Sequence, residues 1–218
     1  ARTTDVERRF PARARDPFTT FTLEEIRTLD AGSWFGGKDP HGQIAAGAVS
    51  EKDLAGFRGE KVPTLEEALL FTKKAGWALN LELKRLPAPL ERFPVPERVL
   101  AMIERLKMDP ARIVLSSGNH AWLDEAKRLR PDIEVQALVG LFTSEPMDWG
   151  AMRFKTYNVR HTRVSEDEGR DLAGRGFTVN LYTVNEPADM RRFIAAGAVG
   201  LITDFPQVLK AIQQGAAS

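Results

Sequence analysis

At 218 residues and 43% hydrophobic composition the chain can bury one sizeable core, though it falls short of the roughly 250 residues typical of a closed α/β barrel. Its 31 basic and 30 acidic residues nearly cancel, which gives a nucleic-acid partner no compositional support and leaves room for a local anionic ligand. There is no cysteine, which excludes disulfides and thiolate chemistry, and no apolar run approaches the roughly 20 residues of a membrane-spanning segment; the chain reads as soluble, with the compartment, cytoplasmic or secreted, left open.

Residues 1–20 interleave Arg8, Arg9, Arg13 and Arg15 with Pro11 and Pro17 and keep no apolar period, so they read as loop. Thr22-Leu-Glu-Glu25 has the spacing of a capping box, in which threonine and glutamate each satisfy a free backbone N–H, and predicts a short helix to about Leu29. From Asp30 to Gly59 the glycines and the Trp34-Phe35-Gly36-Gly37 cluster predict a compact excursion. Residues 1–63 are therefore read as a loop region with a short helix, part of the same single domain as the repeating units that follow in 64–218.

Thr64-Leu-Glu-Glu67 repeats the box, Leu65, Ala68, Leu69 and Ala75 give a helical stripe, and Gly76 ends it. In Leu79-Asn-Leu-Glu-Leu-Lys84 three leucines alternate with polar residues, which puts Glu82 and Lys84 on one face of a strand. That alternation fits a solvated edge strand as well as a strand facing a site. After a proline-marked loop and a helix with Val99, Met102, Ile103 and Leu106, strands are predicted at 112–116, 134–139, 155–159, 177–184 and 201–203. Helices are predicted between them, with a capping box at Ser165-Glu-Asp-Glu168, an N-cap at Asn185 and another at Asp204.

From residue 64 onward helix and strand alternate, giving six strands and about as many helices. Without a glycine-rich phosphate fingerprint this order favours a (β/α) barrel of the TIM type, with a doubly wound sheet as the alternative. Functional groups of a barrel gather at the carboxyl ends of the strands, which nominates Glu82 and Lys84, Ser116 and Ser117, Gln136, Tyr182 with Asn185, and Thr203 with Asp204. Ser116 and Ser117 sit in no Gly-x-Ser-x-Gly elbow and read as backbone-bonding residues. His41, His120 and His161 lack metal-ligand spacing; His120 reads as a first-turn helix residue, and His161 is a weak candidate for a pocket wall.

Several ordered runs, Arg2-Thr3-Thr4, Leu23 to Phe35, Val62 to Glu67, Leu79 to Lys84, Val179 to Asn185 and Gly200 to Pro206, resemble the glycerophosphodiester phosphodiesterase family over essentially the whole chain. The resemblance implies a (β/α) barrel that uses a divalent cation, Mg²⁺ or Ca²⁺, to hydrolyse a small-molecule glycerophosphodiester to glycerol 3-phosphate and an alcohol. It implies that Glu82 is a metal ligand, that Lys84 lies near the phosphate, and that Tyr182, where the family often has Trp, packs against the glycerol moiety. The Ser-Ser-Phe common in the family reads Ser116-Ser117-Gly118 here, which implies a larger pocket corner. The family's His-Arg-Gly, Glu-x-Asp and His-Asp motifs, which precede Arg-Thr-Thr, find no match, so the expectation is six of eight barrel strands, no catalytic histidine and no turnover by the chain as it stands. Two alternatives to a glycerophosphodiesterase are a non-catalytic barrel that binds phosphate-bearing ligands and a related enzyme acting on lysophospholipids or sphingomyelin.

Overall fold

The computed structural model describes residue 3, residues 5–142 and residues 144–215; Arg2 and Thr4 of the Arg2-Thr3-Thr4 run lie outside the described residues. The chain divides into two compact units, Ala1–Lys74 with Arg85–Phe93, and Ala75–Lys84 with Pro94–Ser218.

The first unit is built of short helices, α1 (Val6–Arg9), α2 (Leu23–Thr28), α3 (Ser33–Lys38), α4 (Glu51–Phe57) and most of α5 (Leu65–Ala75). The loop predicted for residues 1–20 instead holds α1 and two 3-10 turns, because Asp5 organises it: its buried carboxylate accepts from the Asp30 N–H at 2.9 Å and pairs with Arg8 and Arg9. The boxes at Thr22–Glu25 and Thr64–Glu67 form as read. A further box, Ser50–Asp53, starts α4 with aspartate in the place of glutamate. Arg27 ties α2 to α5 through a two-pronged pair with Glu67 at 2.6 and 2.8 Å.

The second unit is a curled sheet of six parallel strands in sequential order: β1 (Leu79–Glu82), β2 (Ile113–Ser117), β3 (Glu134–Val139), β4 (Thr156–Arg160), β5 (Thr178–Tyr182) and β6 (Gly200–Leu201). Between and after them lie α6 (Val95–Arg105), α7 (His120–Leu129), α8 (Glu166–Gly174), α9 (Pro187–Ala195) and α10 (Pro206–Gln213). The six predicted strands are present, and the alternation of a parallel sheet with covering helices excludes the meander or hairpin that antiparallel strands would make. Sequential strand order without a reversal also separates the sheet from the doubly wound alternative.

Alternation along each strand splits the sheet into two faces. Leu115, Ala137, Tyr157, Val159, Val179 and Leu181 point to the helices and are buried, joined there by Leu123 of α7 and by Met190 and Phe193 of α9. Each of the buried Val, Leu, Met and Phe side chains among them contributes about 1.5–3 kcal/mol by leaving water. Tyr157 also closes a polar circuit inside this core, donating from its hydroxyl to the Trp149 carbonyl and accepting from the Phe154 N–H, both at 3.1 Å. The other face carries Glu82, Gln136, Asn158, Arg160, Asn180 and Tyr182, as the register places Asn158 beside Asn180 and Arg160 beside Tyr182. Val179 and Leu181 thus lie on the helix side and Asn180 and Tyr182 on the opposite one, as the sequence pattern requires.

Candidate functional site

At the carboxyl end of β1, Leu83 is buried and its N–H donates to the Ser116 carbonyl at 2.7 Å, so pairing with β2 runs one residue beyond the strand. Lys84 therefore keeps the two-residue period, and its ammonium lies 3.1 Å from a Glu82 carboxylate oxygen. The Glu82 side chain is 38% exposed and that of Lys84 73%, so this pair sits at a rim, where its mutual attraction is screened. Both heads can reach a ligand.

Tyr182 ends β5 half-buried. Its hydroxyl donates to the Val139 carbonyl at 2.8 Å, and the Arg160 guanidinium lies 5.9 Å from the ring centroid. Burial pushes the phenol above its ordinary value, with the Glu82 charge adding to the rise and the Arg160 charge opposing it. Tyr182 thus feels both a carboxylate and a guanidinium. Tyr182, about a hundred residues on in sequence, thus comes to the carboxyl ends of the strands with the neighbouring Glu82 and Lys84.

Other nominated residues do different work. Gln136 lies mid-strand rather than at a carboxyl end, and its amide donates to Glu134 at 2.7 Å, because the register of β3 against β4 leaves Leu138 and Val139 at that end. Asn185 does not cap α9, whose N-cap is Glu186, and Asp204 does not cap α10, whose N-cap is Phe205. Instead the Asn185 amide donates to Asp204 at 2.9 Å while its oxygen accepts from Thr203 at 3.1 Å and from the Asp204 N–H at 3.0 Å. The result is a polar brace between the chain ends that leave β5 and β6. Ser117 bonds backbone as expected, donating to the Leu83 carbonyl at 2.7 Å and accepting from the Asn119 N–H at 3.0 Å. His120 begins α7 and is buried, with Nε2 3.2 Å from the Leu138 carbonyl; His161 sets Nδ1 3.2 Å from the Tyr182 carbonyl and its ring edge against Phe193 of the helix-side core. Neither histidine joins Glu82 and Lys84.

Arg160, which the sequence pattern did not single out, stands beside Tyr182 at this end of the sheet. It ends β4, donating from Nε to the Gly140 carbonyl and from Nη2 to the Leu141 carbonyl, both at 2.9 Å. The signal was there in Thr156-x-Asn158-x-Arg160, a polar period of two that carries through to the strand end.

The glycerophosphoryl diester phosphodiesterase family model matches residues 1–208. The chain belongs to that family. A relative named glycerophosphodiester phosphodiesterase from Caldanaerobacter subterraneus subsp. tengcongensis is 29% identical over 192 residues, covering 87% of this chain and 70% of its own length. One of the same name from Bacillus subtilis is 28% identical over 205 residues, covering 89% of this chain and 65% of its own length. The chain thus spans about two thirds of the length of these relatives. The crystal structure of a glycerophosphodiester phosphodiesterase from Parabacteroides distasonis superposes with a TM-score of 0.65 at 25% identity, over 90% of this chain and 72% of that one.

Two features bear on how the family's site is furnished here. A hard divalent cation takes about six to eight oxygen ligands. Among the described residues no three or more Asp, Glu, His or Cys gather to hold one, so Glu82 by itself does not make a metal centre. Gly118, expected to enlarge the pocket, does not leave that space open: a Cβ there would lie 2.4 Å from Leu141 Cδ1, so the Leu141 side chain already occupies the corner. No helix among the described residues is long and apolar enough to cross a membrane.

Proposed function

We propose that this family member acts on glycerophosphodiesters, releasing glycerol 3-phosphate and an alcohol. Water supplies the oxygen that joins phosphorus, the P–O bond to the leaving alcohol breaks, and a proton ends on that alcohol. The supporting observation is the convergence of Glu82, Lys84 and Tyr182 at the carboxyl ends of a parallel sheet, in a chain of this family.

In this reading Lys84 offsets the phosphoryl charge, Tyr182 offers a ring edge and face to the three-carbon glycerol unit, and Glu82 is one oxygen ligand of a divalent cation, Mg²⁺ or Ca²⁺. Such a cation, when bound, would polarise the phosphoryl oxygens. Among the described residues no group of three or more Asp, Glu, His or Cys side chains surrounds it. The chain's own residues bind and orient: Tyr182 is anchored through its hydroxyl, so its ring is presented without further ordering cost.

A second reading, binding without cleavage, draws support from His120 and His161, neither of which stands beside Glu82 to act as acid or base. One assay separates the two. Purified protein is incubated with glycerophosphocholine or glycerophosphoethanolamine and a divalent cation, and glycerol 3-phosphate is measured by a coupled dehydrogenase. Release that chelator abolishes supports the hydrolase; saturable binding of the diester with no release supports the binding module and ends the hydrolase reading for this chain.

A further inference from the structure

Arg160 stands directly across the sheet register from Tyr182. It donates to two neutral carbonyls, Gly140 and Leu141, and it meets Tyr182 both at the ring, 5.9 Å from its centroid, and through a side-chain hydrogen bond to the phenol. The arrangement differs from the other guanidinium groups of this unit that hold a carboxylate: Arg153 pairs with Asp124 at 2.7 Å, Arg170 with Asp167 at 2.7 Å and Arg192 with Asp189 at 2.9 Å. Among the described residues no carboxylate pairs with Arg160, although Glu82 acts on the same tyrosine.

The two carbonyls therefore fix the direction of the fork without cancelling its charge. A guanidinium carries five N–H donors, and two are committed to backbone here. The guanidinium as a whole is half-buried and positively charged, it neighbours the tyrosine on which the Glu82 charge also acts, and such a planar group can meet two oxygens on one phosphorus. Gly140 makes the approach feasible: its φ of +73° suits glycine, and a Cβ there would press on the Arg160 Cβ at 3.4 Å.

We propose that Arg160 binds non-bridging phosphoryl oxygens of the bound ester and of its phosphomonoester product, as a second cation beside Lys84 with the Tyr182 ring as its platform. The assignment rests on the diester site proposed above, and its test is separable from it. The full chain is titrated calorimetrically with inorganic phosphate and with sn-glycerol 3-phosphate at low and high salt. Arg160→Gln weakens both by about ten-fold or more, the loss of a charge-assisted hydrogen bond, and flattens the salt dependence. Arg160→Lys keeps the charge but not the fork, and lands between the two at about three- to ten-fold weaker; it carries the test if Arg160→Gln fails to fold.

Arg163→Gln is the control for loop position. Arg163 donates to the Phe142 carbonyl at 2.7 Å and to the Glu145 carbonyl at 2.9 Å, holding the same loop from its outer part, and its loss leaves phosphate affinity unchanged. Wild-type affinity in both Arg160 variants, an equal loss in Arg163→Gln, or no saturable phosphate binding by the wild-type chain would each overturn the assignment. Arg160-dependent phosphate binding in a chain that releases no glycerol 3-phosphate would instead remove the hydrolase reading and leave the assignment in place.

Discussion

The two ends of the parallel sheet are both polar, and they differ in whether their charges are already satisfied. At the amino ends of β3, β4 and β5 lies a cavity of about 810 Å³ lined by charged groups. There Arg153 pairs with Asp124, Lys127 donates to the Pro131 and Ile133 carbonyls, Asp132 holds Arg130, and Glu134 accepts from Gln136. At the carboxyl ends Glu82 and Lys84 pair with each other at an exposed rim, and Arg160 donates to neutral carbonyls. The cavity holds two carboxylate–guanidinium pairs, Arg153 with Asp124 and Arg130 with Asp132, whereas the guanidinium at the carboxyl ends has no carboxylate partner among the described residues.

The comparison can be broken most sharply at Glu82. Glu82→Gln removes one charge at the carboxyl ends, and in a diesterase assay turnover and divalent-cation affinity fall together by about 100-fold or more, since cation stabilisation of phosphoryl charge is worth several kcal/mol. Unchanged kinetics would take Glu82 out of the site. Tyr157→Phe probes the opposite case, a structural polar group: it strands the buried Phe154 N–H and lowers unfolding free energy by about 1–3 kcal/mol in urea denaturation, with kcat/KM unchanged.

Lys84→Ala is gentler because the ammonium is well exposed and salt-screened. It raises KM for the diester about ten-fold or less with kcat nearly intact, and the difference narrows as ionic strength rises. The smallest effect lies at the amino ends. The hydrogen bond from Arg153 holds the Asp124 carboxyl below its ordinary value, so the pair contributes stability above the unfolded-state pKa, lost as pH falls through the lowered folded value. Arg153→Met removes that acid-side loss; for so exposed a pair it amounts to about 0.2–1 kcal/mol, read from urea midpoints at neutral pH and below pH 4.

Most of the second unit was legible in the sequence because its signals are local. Leucine alternation marked β1, the box at Ser165 marked a helix start, and the strand–helix rhythm gave a parallel sheet. The placement of Glu82 with Lys84 followed from the period of two. What escaped depends on partners distant in sequence. Asn185 and Asp204 look like caps beside proline-led helices, yet they bond each other across 19 residues, a preference no local pattern encodes. Arg160 was passed over because the aromatic and apolar character of its strand is weaker and because its role appears only against Tyr182, 22 positions on. The helices of the first unit were compressed into loop for a similar reason: Asp5 is organised by Asp30, a contact between residues 25 apart.

The way Arg160 and Arg163 hold the loop after β3 has a consequence for how the protein can change. All four of their bonds end on main-chain oxygens, those of Gly140, Leu141, Phe142 and Glu145. Backbone oxygens are common to every amino acid, so the tether is indifferent to which side chains the loop displays. Phe142 and Glu145 can thus be rewritten while these tethers stay in place, whereas Leu141 is held to its shape by its packing over Gly118.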